Sequence, residues 1–220
     1  AVIMIDSAVA PTTAQVIIIG GGVTGTPTTR NPQSCEMIDL TSLTPLSDWS
    51  RISDMHFPRT NVNAVVLPDR TVLVIGGQRN GKWSTDPQPV LEAEIYDPAS
   101  NEWTVLAPMQ YPRQYHSVAV LLPDGRVMTA GGIDPTLGGT PQRDQRFMEV
   151  LSPPYMFRGT RPTLNSTPSQ ISYGIQFDIL TPEASSIESV VLLRPISMTH
   201  HTDAGQRYVK LAILARNTNK

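Results

Sequence analysis

An all-β chain of repeated four-stranded units, followed by a second β-rich region, is what three features of this sequence predict. The first is composition: 20 Pro and 15 Gly in 220 residues, with only 16% charged, against about 25% charged in an ordinary domain. That balance favours short strands joined by tight turns. The second is a repeat. Glycine pairs stand at Gly21-Gly22, Gly76-Gly77 and Gly131-Gly132, each 55 residues after the one before, a period of propeller-blade size. The third is the grammar around each pair. An apolar strand precedes it (Val16 to Ile19, Val72 to Ile75, Val127 to Ala130), and in the first two units a third strand and a Trp follow, Trp49 and Trp103. Four strands, a diglycine after the second and an aromatic in the fourth describe a kelch-type blade.

In chain order, Cys35 to Leu40 supplies the third strand of the first unit and Ala93 to Tyr96 that of the second. The third unit opens at Pro112-Arg113, with Val118 to Leu122 and Arg126 to Ala130 flanking the turn residues Pro123-Asp124-Gly125. Beyond Phe147 to Pro154 no diglycine or Trp follows. Ser152-Pro153-Pro154 and Arg158 to Pro162 read as a linker. From Thr163 onward, Gln176 to Leu180, Val190 to Leu193 and Tyr208 to Leu214 read as strands of an incomplete β-sandwich. The expected division is 1–157 for the propeller blades and 158–220 for the sandwich. Propellers typically have 4–8 blades, so three units are expected to be part of a longer chain.

The formal charge of −2 and pI near 6.1 give no electrostatic reason to propose nucleic acid or an anionic membrane as partner. No apolar run approaches the roughly 18 residues of a membrane span. Cys35 is the single cysteine, so no disulfide forms within these residues and no CxxC metal site exists. Set in an apolar strand, Cys35 reads as a buried, inert thiol. The sequon Asn165-Ser166-Thr167 is a weak pointer to secretion.

Two constellations carry ligand chemistry. Tyr115 and His116 stand at the mouth of an apolar strand. Counting from Pro58-Arg59 and Pro112-Arg113 puts Asn61 and Val62 at their places in the second unit, so blade packing does not itself demand Tyr-His. Neighbours on a strand face opposite ways, so both reach one metal only at an irregular strand end. Spacing leaves two readings open, packing between blades or metal ligation. His200 and His201 lie in the polar stretch Thr199 to Arg207, where imidazoles suit copper, zinc or iron and a solvated loop is the alternative. His56, beside Phe57-Pro58-Arg59, reads as structural.

The motifs PRTNVNAVVLPDRTVLVIGGQRNGKW, EIYDP, PRQYHSVAVLLPDGRV, RPT and THHTDAGQRYVKL, in this order, resemble the galactose oxidase and glyoxal oxidase family of copper radical oxidases over nearly the whole chain. The resemblance implies a seven-bladed kelch propeller and an immunoglobulin-like domain whose hairpin delivers a copper ligand along the propeller axis. It implies Tyr115 as axial copper ligand and proton acceptor, His116 and His200 (rather than His201) as equatorial ligands, and Trp83 as a substrate contact. It implies oxidation of a primary alcohol or aldehyde, carbohydrates included, by molecular oxygen, with hydrogen peroxide as product, in a secreted or cell-surface protein. The family's radical cofactor, a tyrosine cross-linked to a cysteine, is expected from upstream chain, and Cys35 does not match that cysteine. Val23 to Pro27 lacks the family's sugar-binding Tyr-Gln pair, so galactose is not implied as the substrate. The alternative is a non-catalytic propeller for carbohydrate binding, adhesion or cell-surface assembly.

Overall fold

The computed structural model describes residues 2–7, 13–22, 32–41, 48–80, 88–134, 143–194, 198–199, 202–203 and 205–217, and its regular structure is strand apart from short 3-10 turns. The first blade is an antiparallel meander of β1 (Val2–Ser7), β2 (Thr13–Ile19), β3 (Cys35–Asp39) and β4 (Ser50–Ile52). The second repeats it with β5 (Thr60–Val66), β6 (Val72–Gln78), β7 (Glu92–Asp97) and β8 (Glu102–Pro108). The third has β9 (Ser117–Leu121), β10 (Val127–Gly131) and β13 (Glu149–Leu151), with the small pair β11 (Ile133–Asp134) and β12 (Arg143–Asp144) inserted between them in sequence.

Both faces of the inner strands of the second blade are buried, which explains why β5 from Val62 onward is apolar except at Asn63. Its alternate side chains face opposite neighbours. Val62, Ala64 and Val66 join Ile17, Ile19, Cys35 and Met55 of the first blade. Val65, with Leu67 just beyond the strand, packs instead with Ala119 and Val127 of the third. Trp103 lies in β8 against Tyr96, ring centroids 5.0 Å apart, and its indole N–H donates to the Ser53 carbonyl at 2.7 Å. Trp49 differs from the sequence expectation: it stands just before β4 and is 43% exposed.

An arginine and a glycine join each blade to the next. The Gly21 N–H donates to the Arg59 carbonyl at 3.0 Å and the Gly77 N–H to the Arg113 carbonyl at 2.7 Å. Beside these bonds, a Cβ on Gly20 (φ +60) or Gly76 (φ +75) would run into the same carbonyls, and the positive φ independently favours glycine. Contact therefore matches Gly20-Gly21, not Gly21-Gly22, with Gly76-Gly77. The arginine side chains are buried as well. Arg59 Nη2 lies 2.8 Å from Glu94 Oε1, and its Nη1 and Nη2 donate to the carbonyls of Gly76 and Glu92 at 2.8 and 2.7 Å. Burial pulls the Arg59 pKa down and the Glu94 carboxylate opposes this. Glu94 Oε2 accepts the His56 backbone N–H at 2.7 Å and lies 3.0 Å from His56 Nδ1, the structural role expected of His56. Arg113 repeats the arrangement with Gly131 and Glu149.

After β13 the chain is tied to the turns of the blades. Tyr155 Oη donates to the Gly125 carbonyl, Arg161 Nη1 donates to the Asp124 carbonyl at 2.7 Å, and Arg158 pairs with Asp69 at 3.4 Å. Residues 176–180, expected as a strand, form only the isolated bridge between Ser166 and Leu180. A strand needs a neighbour to satisfy its backbone, and this segment has no further ladder among the described residues. β14 (Val190–Arg194) and β17 (Arg207–Leu211) pair with each other, and β17 runs parallel to β1, extending the first sheet. Between them β15 (Met198–Thr199) pairs with β16 (Thr202–Asp203); β15 lies against β9 and β16 against β1.

Gln206 fastens this arm to the second blade. Buried at 5% exposure, its amide accepts from the Val66 N–H at 2.5 Å and donates to the Ala64 carbonyl at 3.1 Å, completing one rung on the open side of β5.

Glu94→Ala leaves the Arg59 cation buried and unpaired, and should cost about 3–5 kcal/mol in urea unfolding of the complete protein. Gln206→Leu leaves one donor and one acceptor of β5 unsatisfied and should cost about 2–6 kcal/mol, at roughly 1–3 kcal/mol for each orphaned group; an unchanged midpoint would show that the arm is held by apolar packing alone.

Candidate functional site

The turn that opens the third blade is one residue longer than its counterpart in the second. The hairpins themselves superpose with a constant offset: Leu67 N–H bonds the Thr71 carbonyl as Leu122 N–H bonds the Arg126 carbonyl, and Val62 opposes Gly76 as Ser117 opposes Gly131. The docking arginines are closer in sequence, 59 and 113, so two residues separate Arg59 from Val62 and three separate Arg113 from Ser117. Position for position, Ser117 then matches Val62 and His116 matches Asn61. Counting forward from the arginines, as the sequence invited, missed this because the added residue lies between the arginine and the strand.

Backbone geometry confirms the match. Asn61 and His116 both have left-handed backbone, φ 55° and 66°, a conformation for which Asn and His are the better tolerated non-glycine residues. The added residue converts the strand entrance into a turn closed by the Ser117 N–H on the Gln114 carbonyl at 3.0 Å, with positive φ at the third position as in type II turns. Tyr115 and His116 are consequently not on opposite faces of a strand. Their rings lie side by side, centroids 3.8 Å apart and planes at 29°, with Tyr115 half-buried and His116 exposed.

The flanks of this turn are rigid. Arg113, Gln114 and Ser117 are buried, the Tyr115 carbonyl accepts from the Ile133 N–H at 2.9 Å, and the Ser117 hydroxyl accepts from Asn63 Nδ2 of the second blade at 2.8 Å. Sequence reasoning gave no role to Asn63, Gln114 or Gln206. The signal for Asn63 was a polar residue inside the otherwise apolar run of β5.

His200, His201 and Trp83 lie outside the described residues. Thr199 and Thr202, which flank the two histidines in sequence, face each other across β15 and β16. Among the described residues no group of three or more His, Cys, Asp or Glu could hold a metal. The turn holds the Tyr115 and His116 rings together, and imidazole is a donor that suits copper, zinc and iron. Cys35 is not part of this turn. It is 1% exposed in β3, and burial pushes its thiol up to about 12, as an inert core cysteine requires.

Comparison with known proteins gives this turn its setting. Residues 1–140 match the family model of the glyoxal oxidase N-terminus, and residues 161–220 that of the galactose oxidase-like Early set domain. The chain is 33% identical over 171 residues to a galactose oxidase of Gibberella zeae, covering 75% of this chain and 24% of that protein. It is 31% identical over 226 residues to the aldehyde oxidase GLOX of Vitis pseudoreticulata, covering 91% and 41%. Among solved structures, a fungal alcohol oxidase of the AA5 family in complex with copper superposes with a TM-score of 0.75 and 26% identity over 90% of this chain and 42% of that one. The chain thus spans between a quarter and about two-fifths of the length of these relatives. Among the described residues no helix is long and apolar enough to cross a membrane. With the kelch-type blades, the arm laid along the first sheet and two family models matched in order, the chain belongs to the galactose oxidase and glyoxal oxidase family of copper radical oxidases.

Proposed function

We propose that this chain is the portion of an oxygen-dependent copper oxidase that supplies three of the metal's ligands, Tyr115, His116 and His200, and that the complete protein oxidises a primary alcohol or aldehyde. The single observation that carries this reading is the added residue before Ser117, which places a phenol and an imidazole side by side at a strained turn. In the reaction an alcohol loses two electrons and two protons to become an aldehyde, and dioxygen takes them up as hydrogen peroxide. Bound copper would supply a one-electron acceptor, the second electron being taken by a cross-linked Tyr-Cys group contributed from outside these residues.

The residues of this chain have the remaining tasks. Tyr115 takes the hydroxyl proton of the substrate at its Oη, a general-base role that needs the phenol within hydrogen-bond reach of the substrate. His116 and His200 hold the metal through neutral ring nitrogens, and Trp83 lines the substrate's approach. The division into blades at 1–157 and a sandwich at 158–220, and a secreted or cell-surface location, belong to the same proposal.

The complete protein, loaded with copper, should bind one ion per chain and release peroxide from a primary alcohol or aldehyde. His200→Ala should abolish peroxide release and lower copper content, while His201→Ala should leave copper content nearly unchanged. Absence of stoichiometric copper in the wild-type protein, measured by atomic absorption, would leave the non-catalytic binding propeller as the reading.

A further inference from the structure

Asn63 and Ser117 meet across the boundary between the second and third blades, both fully buried at 0% and 1% exposure, with Asn63 Nδ2 donating to Ser117 Oγ at 2.8 Å. The repeat supplies its own control for this pair. By the offset that matches the two hairpins, the residue of the second blade equivalent to Ser117 is Val62, and the residue of the third blade equivalent to Asn63 is Val118. Both partners therefore replace valines that serve the same strand positions elsewhere in the molecule, so a blade can be built without them. The replacement also carries a cost. Asn63 Oδ1 is buried without a hydrogen-bond partner among the described residues, and burying a polar atom unsatisfied is unfavourable.

What the pair holds is the turn bearing Tyr115 and His116. Ser117 follows His116 directly, and its N–H closes the turn on the Gln114 carbonyl, so Asn63 grips the same residue from the neighbouring blade. A left-handed histidine at φ 66° has an incentive to relax, and such conformations persist only where the surroundings over-determine them. Asn63 also lies on β5, whose next residues, Ala64 and Val66, hold the Gln206 amide. One rigid strand is thereby bonded to the Tyr115-His116 turn on one side and to the arm that carries His200 in its sequence on the other.

We propose that the Asn63-Ser117 hydrogen bond positions the Tyr115-His116 turn for metal ligation, which makes Asn63 a positioning residue of the copper centre; this rests on the copper reading given above. Neither residue touches the metal or the substrate. Their effect is on the placement of two donors, and losses of supporting contacts around metal ligands are typically about 10–100-fold in affinity or activity.

The test uses the complete protein with Asn63→Val/Ser117→Val, which installs the valine pair of the sister positions, and with Ser117→Val and Ser117→Thr, which share one shape and differ only in the hydroxyl. Three quantities are read: copper affinity by chelator competition, the copper(II) hyperfine splitting in electron paramagnetic resonance, and the Tm of the metal-free protein. The double variant should keep or raise the metal-free Tm, lose about 10–100-fold in copper affinity and show an altered splitting, whereas Ser117→Thr should retain wild-type affinity and splitting. Wild-type affinity and splitting in the double variant would overturn the proposal and leave the copper reading standing. Affinity lost only in step with metal-free Tm, in Ser117→Thr as much as in Ser117→Val, would overturn it too, by showing a packing role. A wild-type protein that binds no copper would overturn both.

Discussion

The packing of the blades depends on the docking of Arg59 and Arg113, which lead the second and third blades, against the glycines of the blade before each. The Arg59 and Arg113 carbonyls accept from Gly21 and Gly77, and the guanidinium of each turns inward to a glycine carbonyl and a carboxylate of its own blade. A buried ion pair is poor evidence of stability, because desolvation offsets most of the attraction. It is good evidence of register. The planar fork of arginine satisfies several acceptors of its own blade at fixed angles, which fixes where the arginine carbonyl stands, and that carbonyl accepts the glycine N–H of the neighbouring blade.

That constraint explains why the additional residue of the third blade acts where it does. The arginine is fixed behind it and the strand is fixed ahead of it by the ladder with β10. The slack has one place to go, the turn at Tyr115 and His116. Bringing two rings together at this blade entrance takes no new element, only one extra residue between two immovable points. The polar pair of Asn63 and Ser117 sits at the same seam, where sister positions carry valine.

The arm formed by β14 to β17 shows a different economy. It contributes Tyr208 to the apolar core between the first two blades, pairs with β1 and borrows two backbone groups of β5 through Gln206. Residues 158–189, by contrast, have little regular structure, and Leu164, Ile171 and Ile175 are exposed. The same stretch of sequence thus holds a segment stabilised by the blades and a segment that meets the blade turns through Arg158 and Arg161 at its start.

The sequence by itself determined the strand-turn-strand units, their period, the kelch grammar, the inert character of Cys35 and the two stretches worth reading as ligands, because each depends on local rules: alternation, turn residues and glycine at positive φ. The glycine match in the first blade was off by one, since three glycines in a row satisfy any local rule and only the clash with the Arg59 carbonyl selects Gly20 and Gly21. Tertiary structure alone decided that His116 corresponds to Asn61, that Tyr115 and His116 lie side by side, and that Asn63 and Gln206 bind across 54 and 140 residues of chain. Those facts depend on which backbone atoms are left open once the blades have packed, and no pattern within a single strand records them.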